Sequence, residues 1–430
     1  MATGFLVFLL FVVLYSIIAS WLGQRSITMP MFFLTVGAIA GARGLGWTSL
    51  TLTSESVKLI VEMTLALLLF ADSSTLKLQQ IREDAGLPAR LLGIALPMII
   101  FLGGLVTYVL FPQEGIGFAL LLGAILAPTD AALGLPIFTN ERVPVRIRRA
   151  LNVESGLNDG IATPFVLLFT ALTVAEVTQS LSAWFTSALI EIGIAVVVGA
   201  AMGMLGGWLL SSAMQRQLTS RATEQIGTIA LALACYLGST ALGGNGFIAA
   251  FVGGLFFSYV TRNREHDAVE LTESVGTLLS LFVWMIFGLF LVVPLFTAFD
   301  PRALLYGILS LTLIRMLPVW ISMTGTHLRG DTKILMGWLG PRGLASVVFT
   351  LIAFESFNEV ARSNETLFAI AGWTIFLSVI LHGFSALPLA SWYASRLKTA
   401  PSDLPELVDV PDLESPRGTL IHMPHGPGPE

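Results

Sequence analysis

Residues 121–138 read LLGAILAPTDAALGLPIF, an apolar run cut near its centre by Pro128, with Thr129 and Asp130 directly after the cut. Proline removes a backbone donor and clashes with the turn before it, and it biases Ala127 toward extended geometry. A helix broken there exposes carbonyls at membrane depth, which is tolerated only where they are buried or line a cavity. These carbonyls, together with Asp130, are expected cation ligands. A plain proline kink is the structural alternative.

The segment that follows, NVESGLNDGIATPF (152–165), places two acids five residues apart in one apolar span. Residues four apart share a helix face, so Glu154 stacks with Asn158 and Ser155 with Asp159. Carboxylate, hydroxyl and amide oxygens on one stripe are what a hard cation accepts in place of its water. Polar residues in membranes also serve simply to bond neighbouring helices. Two ionisable groups in one span argue for function, because each is costly in lipid.

Composition extends the membrane reading to the whole chain. Of 430 residues 55% are apolar and 12% charged, and mean hydropathy is +0.81. An average soluble protein carries about 25% charged residues, so an ordinary soluble enzyme and a disordered chain are both excluded. A net charge of −5 with no basic block argues against nucleic acid as a partner. Cys235 is the single cysteine, so an intramolecular disulfide and a cysteine-based zinc site are excluded. Runs of about 20 apolar residues number thirteen, near 5–23, 27–42, 56–73, 91–111, 116–138, 152–173, 184–211, 226–242, 246–260, 274–297, 302–323, 334–354 and 366–394. The first lacks a basic leader and a clean cleavage site, and is expected to be a retained helix rather than a signal peptide.

Loop charge sets the orientation. Seventeen Lys and Arg residues fall on one side: Arg25, Lys77, Arg82, Arg90, Arg142, Arg146, Arg148, Arg149, Arg216, Arg221, Arg262, Arg264, Arg329, Lys333, Arg396, Lys398 and Arg417. The other side holds four, Arg43, Lys58, Arg302 and Arg362. The positive-inside rule then puts the N-terminus outside and the C-terminus in the cytoplasm. A transmembrane domain over 1–398 is followed by residues 399–430, rich in Pro and acid, expected to be a disordered cytoplasmic tail.

Span twelve, ILMGWLGPRGLASVVFTLIAF (334–354), carries a second break at Gly340-Pro341-Arg342-Gly343. Breaks at corresponding positions of two halves point to a secondary-transporter site. Spans five and twelve are seven apart, an odd offset that makes the halves inverted repeats, with span seven as the linker. The fold class is therefore all-α and polytopic, with two broken helices crossing at the midplane. Arg315, alone in the eleventh span, needs an acid partner, and Glu154 or Asp159 can supply it. Arg342 either offsets the helix ends at its break or pairs with an acid. Glu62 lies two turns inside span three, where it joins the site or snorkels outward. Asp72 fits an interfacial cap, and Glu191 has no assigned role.

At these motifs the chain resembles the monovalent cation:proton antiporters, specifically the NhaP-type branch of sodium/proton exchangers. The resemblance rests on VEMTLALLLF (61–70), APTDAALG (127–134), NVESGLNDGIATPF and GWLGPRGLASVVF (337–349), and covers about residues 5–395. It implies a core bundle and a dimerisation bundle interleaved in sequence, a homodimer, and no cofactor. It also implies that Asp159 binds cation and proton alternately, with Asp130, Ser155 and the Thr129 carbonyl completing a sodium site to which Glu62 also contributes. Glu154 and Arg315 match a structural ion pair, with Asn158 bonded nearby. Asn158, where electrogenic relatives carry an acid, implies electroneutral one-for-one exchange of Na+ or Li+ for H+ and a role in pH homeostasis. Potassium/proton or unselective exchange is the alternative within the class. An ion channel and an intramembrane hydrolase are the alternatives outside it. The string ADSSTLKLQ (71–79) departs from the family's glycine-containing turn and leaves the role of Asp72 open.

Overall fold

A computed structural model of the chain describes residues 2–41, 45–47, 55–75, 85–130, 133–134, 140, 143–178, 181–261, 265–359, 364–397 and 404–408. The loop cations Arg43, Lys77, Arg82, Arg142, Arg262, Arg264, Arg362, Lys398 and Arg417, and residues 135–138 of span five, lie outside them.

Among the described residues, fourteen helices account for the spans. They are α1 (Ala2–Gln24), α2 (Met29–Ala40), α3 (Glu55–Ser74), α4 (Gly86–Leu110), α5 (Ile116–Ile125), α6 (Val145–Thr178) and α7 (Leu181–Gln215). Then come α8 (Arg221–Ala241), α9 (Gly246–Thr261), and α10, which runs Glu265–Phe287, widens into a π turn at Gly288–Val292 and finishes as Val293–Thr297. The last are α11 (Pro301–Ser322), bent at Thr312, α12 (Gly330–Trp338), α13 (Leu344–Glu359) and α14 (Glu365–Leu397). Helix falls on every one of the thirteen spans read from the sequence, because α12 and α13 are the two halves of span twelve. Seven helices are long and apolar enough to cross a membrane by themselves. Helices α5 and α13 are short because their spans are broken.

Packing sorts the helices into two groups. In one, α7 lies along α9, α9 along α3, and α3 along α10, with α2 and α8 filling in. In the other, α4 packs on α5, α5 on α6, and α11 on both α12 and α14. Helix α6 touches both groups, through α7, α3 and α9 on one side and α5 on the other. Small residues permit the closest approaches, as expected where lipid removes the hydrophobic drive between helices. At the α7–α9 contact, a methyl group on Gly199 would meet the Ala249 backbone and one on Gly203 would meet Gly253.

One departure concerns the tail. The sequence reading assigns all of 399–430 to disorder, yet Pro405–Leu407 form a 3-10 turn and Glu406 is completely buried. A single buried carboxylate with partners on the helical body holds this short stretch. Residues 399–403 and 409–430 lie outside the described residues.

Candidate functional site

Both expected breaks are present, and they meet. Helix α5 ends at Ile125, and the chain runs irregularly through Leu126–Asp130. Helix α12 ends at Trp338, and Leu339–Gly343 form the second irregular stretch. The backbone N–H of Asp130 donates to Pro341 O at 2.8 Å. The Asp130 carboxylate accepts the backbone N–H of Leu344 at 2.9 Å and that of Leu133 at 3.3 Å. A carboxylate thus sits at the positive N-terminal end of α13, where helix ends leave N–H groups without partners, and also takes the Leu133 N–H that follows the first break.

The complementary charge is Arg342, fully buried. Its guanidinium donates to Ala127 O at 2.6 Å, at the negative end of α5, and lies 3.4 Å from Ser310 O on α11. Of the two roles open to Arg342 in the sequence, its recorded bonds favour offsetting helix ends. The Ala127 carbonyl, just past the end of α5, accepts from Arg342 and so is engaged within the protein. Ser346 Oγ satisfies Ile125 O at 2.8 Å.

The glycines of the GPRG string follow from the same closeness. A Cβ on Gly343 would fall on the Asp130 carboxyl group, and one on Gly340 would fall on the Arg315 guanidinium.

On α6 the polar stripe forms as its spacing predicts. Glu154 takes Arg315 in a two-pronged pair, at 2.5 Å and 2.9 Å, with both side chains at most 3% exposed. Asn158 Nδ2 donates to Thr129 Oγ1 at 2.6 Å, and Thr129 Oγ1 lies 3.1 Å from Ser155 Oγ. The hydroxyl of Thr129 is therefore the link from break to stripe, where the resemblance points to its carbonyl. Asn158 Oδ1 is buried and makes no hydrogen bond among the described residues. Asp159 stands one turn beyond Ser155 on the same face and is partly exposed, while Asn158 is buried. Thr129, Ser155 and Asn158 are thus bonded together at the crossing, with Asp130 next in the chain to Thr129 and Asp159 on the same face of α6 as Ser155.

Glu62 is placed in a different group. Its carboxylate is 4.0 Å from Lys58 Nζ and bonded by the Tyr236 hydroxyl, and Lys58 also pairs with Glu355. These residues sit on α3, α8 and α13, and the recorded bonds do not tie Glu62 to the Thr129–Ser155–Asn158 cluster. Asp72 lies two residues before the end of α3, and the Glu191 carbonyl accepts from Asn245 N.

Three residues on α14 escaped the sequence reading. Ser378 Oγ accepts the N–H of Arg342 at 2.6 Å, His382 Nε2 lies 2.8 Å from Trp338 O, and Ser385 Oγ accepts from Trp338 Nε1 at 2.9 Å. Together they hold both ends of the irregular stretch of span twelve. The signal available was the lone His382 in an otherwise apolar span.

Fold and site together define a polytopic helical membrane protein built around two broken helices that cross and exchange backbone and side-chain bonds. Residues 6–392 match the family described as sodium/hydrogen exchanger, transmembrane, and the chain belongs to that family. It is 25% identical over 385 residues to the K+/H+ antiporter NhaP of Alkalimonas amylolytica, covering 88% of this chain and 65% of that protein. It is 28% identical over 342 residues to a Na+/H+ antiporter of Schizosaccharomyces pombe, covering 69% and 70%. Its fold is similar to that of the sodium proton antiporter MjNhaP1 of Methanocaldococcus jannaschii, with a TM-score of 0.74, 20% identity, and coverage of 92% and 99%. The chain spans about two thirds of the length of the Alkalimonas relative.

Proposed function

We propose that the protein is a secondary transporter that exchanges Na+ or Li+ for H+ across the cell membrane by alternating access. The observation that carries this reading is the bonded cluster of Thr129, Ser155 and Asn158 at the crossing, with Asp159 one helical turn beyond Ser155 on α6. Each of the other ionised groups there has an internal task. Glu154 is bound to Arg315, Asp130 to the N–H groups of Leu344 and Leu133, and Arg342 to a carbonyl at the end of α5. Asp159, partly exposed on the stripe that carries Ser155, is the carboxylate we assign to ligand exchange. Ser155, Thr129 and the Asn158 Oδ1 oxygen stand beside it as donors suited to an alkali ion.

A proton and a sodium ion then compete for one carboxylate. If only the neutralised site, Asp159–H or Asp159–Na+, crosses between the two faces, the ions must exchange. One exchangeable acid carries one charge in each direction, which supports electroneutral one-for-one exchange. The rearrangement moves one helix group against the other across α6, and the packing of α6 against both groups supports that division into a core and a second bundle. We assign the dimer contact of a homodimer to the second bundle, whose α7, with α1, is among the least buried of the long helices. The N-terminus faces outward and the C-terminus lies in the cytoplasm by the cation asymmetry of the loops.

A second reading, K+/H+ exchange, is favoured by the relatives named K+/H+ antiporters. Proton efflux from acid-loaded proteoliposomes at zero voltage separates the two. Recovery with Na+ and Li+ alone establishes the main reading. Recovery with K+ moves the function to the second, and no response to any of the three removes both.

A further inference from the structure

Helix α12, the first half of broken span twelve, begins with a defect. Its N-cap is Arg329, which offers no side-chain acceptor to the first turn. Ser, Thr, Asp or Asn normally fills this position. Here the acceptor comes from 77 residues further along the chain: Glu406 Oε1 takes the backbone N–H of Arg329 at 2.7 Å and the hydroxyl of Thr332 at 2.8 Å. A carboxylate taking the N-cap N–H is half of a capping box supplied from a distance. Thr332 Oγ1 also lies 2.9 Å from the Tyr393 hydroxyl on α14. The neighbouring Pro405 carbonyl accepts from Arg146 Nη1, in the first turn of α6, at 2.6 Å.

The five residues Leu404–Val408 therefore join the starts of α6 and α12 to the end of α14. These are the helices that carry Asp159, lead into the Gly340–Gly343 break, and grip that break. The body of the protein holds a peptide site made by Arg146, Arg329, Thr332 and Tyr393, whose ligand is an acidic residue preceded by proline. The charged side chain facing Glu406 is that of Arg329, at the N-cap of α12, which also pairs with Asp331 at 2.7 Å. Glu406 is completely buried, yet Leu407 and Val408 beside it are 44% and 52% exposed. Its Oε2 atom makes no hydrogen bond among the described residues. The seat is thus a single anchored side chain on an otherwise exposed strand of chain, which is the form of a releasable contact.

We propose that Leu404–Val408 is a strap whose Glu406 locks the starts of α6 and α12 together, and that its release speeds ion exchange. Any movement that separates these two helix ends must either pull the buried carboxylate from its two bonded partners, Arg329 N and Thr332 Oγ1, or break the Arg146 bond to Pro405 O. The strap's effect on exchange rests on the antiport reading, but its binding does not.

The test uses the full chain. Glu406→Gln removes the charge, and Arg146→Ala removes only the contact to Pro405 O. Each is expected to raise exchange turnover at least threefold in proteoliposomes, with the double variant no faster than the faster single one, because both undo one contact. Binding is read separately, by fluorescence anisotropy of a labelled Leu-Pro-Glu-Leu-Val peptide on full-length Glu406→Ala. The peptide is expected to bind, and to return turnover toward the wild-type rate, whereas Leu-Pro-Gln-Leu-Val does neither. Unchanged turnover in folded Glu406→Gln and Arg146→Ala overturns the strap, as does slower exchange with a lowered melting temperature. Absence of peptide binding overturns the site itself. Peptide binding with no ion exchange even in wild type would instead strike the antiport reading.

Discussion

Asp130 and Leu344 lie 214 residues apart, and the carboxylate of the first accepts the backbone N–H of the second at 2.9 Å. Because the other carboxylate oxygen takes Leu133 N, two N–H groups from two broken helices converge on one anion. An amide offers only one acceptor oxygen, so Asp130→Asn leaves one buried donor facing another. The expected cost is about 1–3 kcal/mol, seen as a lower melting temperature in detergent. A variant as stable as wild type would reassign Asp130 from helix capping to the cation site alone.

Glu154 and Arg315 form a pair that cannot lose one member cheaply. Glu154→Gln leaves a guanidinium buried without its counter-ion, which costs about 3–5 kcal/mol, and folded yield is expected to collapse. Replacing both, as Glu154→Leu with Arg315→Met, is expected to recover part of the yield. The check is size-exclusion recovery of the single and double variants side by side.

Gly343→Ala places a methyl group on the Asp130 carboxyl, so the two breaks cannot approach. Folded protein is expected to be lost. Gly193→Ala on α7, where a Cβ meets nothing within 4 Å, is the matched control and gains up to about 1 kcal/mol of helix propensity. Equal expression of the two variants would show that the crossing is looser than described.

These particulars explain what was legible beforehand. Thirteen spans could be read because lipid permits few backbone solutions, and apolar length marks each one. The breaks were legible because proline and glycine disrupt helices wherever they fall. The Glu154–Arg315 pairing was one of two options, decided by α11 packing Arg315 beside Glu154 and not beside Asp159. The joining of Arg342 to Ala127 O could not be chosen, since sequence does not say which helix end lies opposite. The roles of Ser346, Ser378 and Ser385 were hidden because serine in a membrane helix is unremarkable until its neighbour is known. Glu406 was hidden by its setting, a Pro-rich acidic stretch whose composition matches disorder.

Outside the spans, Asp300 caps α11 by accepting Arg302 N at 2.8 Å and pairs with the Arg302 side chain at 2.9 Å. Burial pushes its carboxyl up, but these bonds outweigh burial and hold it below the usual carboxylate range. A depressed folded value stabilises the protein above the unfolded carboxylate range, and that contribution is lost as pH falls through the folded value. Asp300→Asn is therefore expected to lower the melting temperature slightly at pH 7, with a difference that shrinks as pH falls below the usual carboxylate range. A difference that persists at low pH would contradict the cap's charge.

The central claim is that Asp159 alone carries the exchanged ion. Its most direct test is sodium-driven proton efflux from proteoliposomes containing Asp159→Asn, compared with wild type at equal amounts of folded, monodisperse protein. The account predicts no efflux above that of empty vesicles with an unchanged melting temperature. Efflux at the wild-type rate would contradict it.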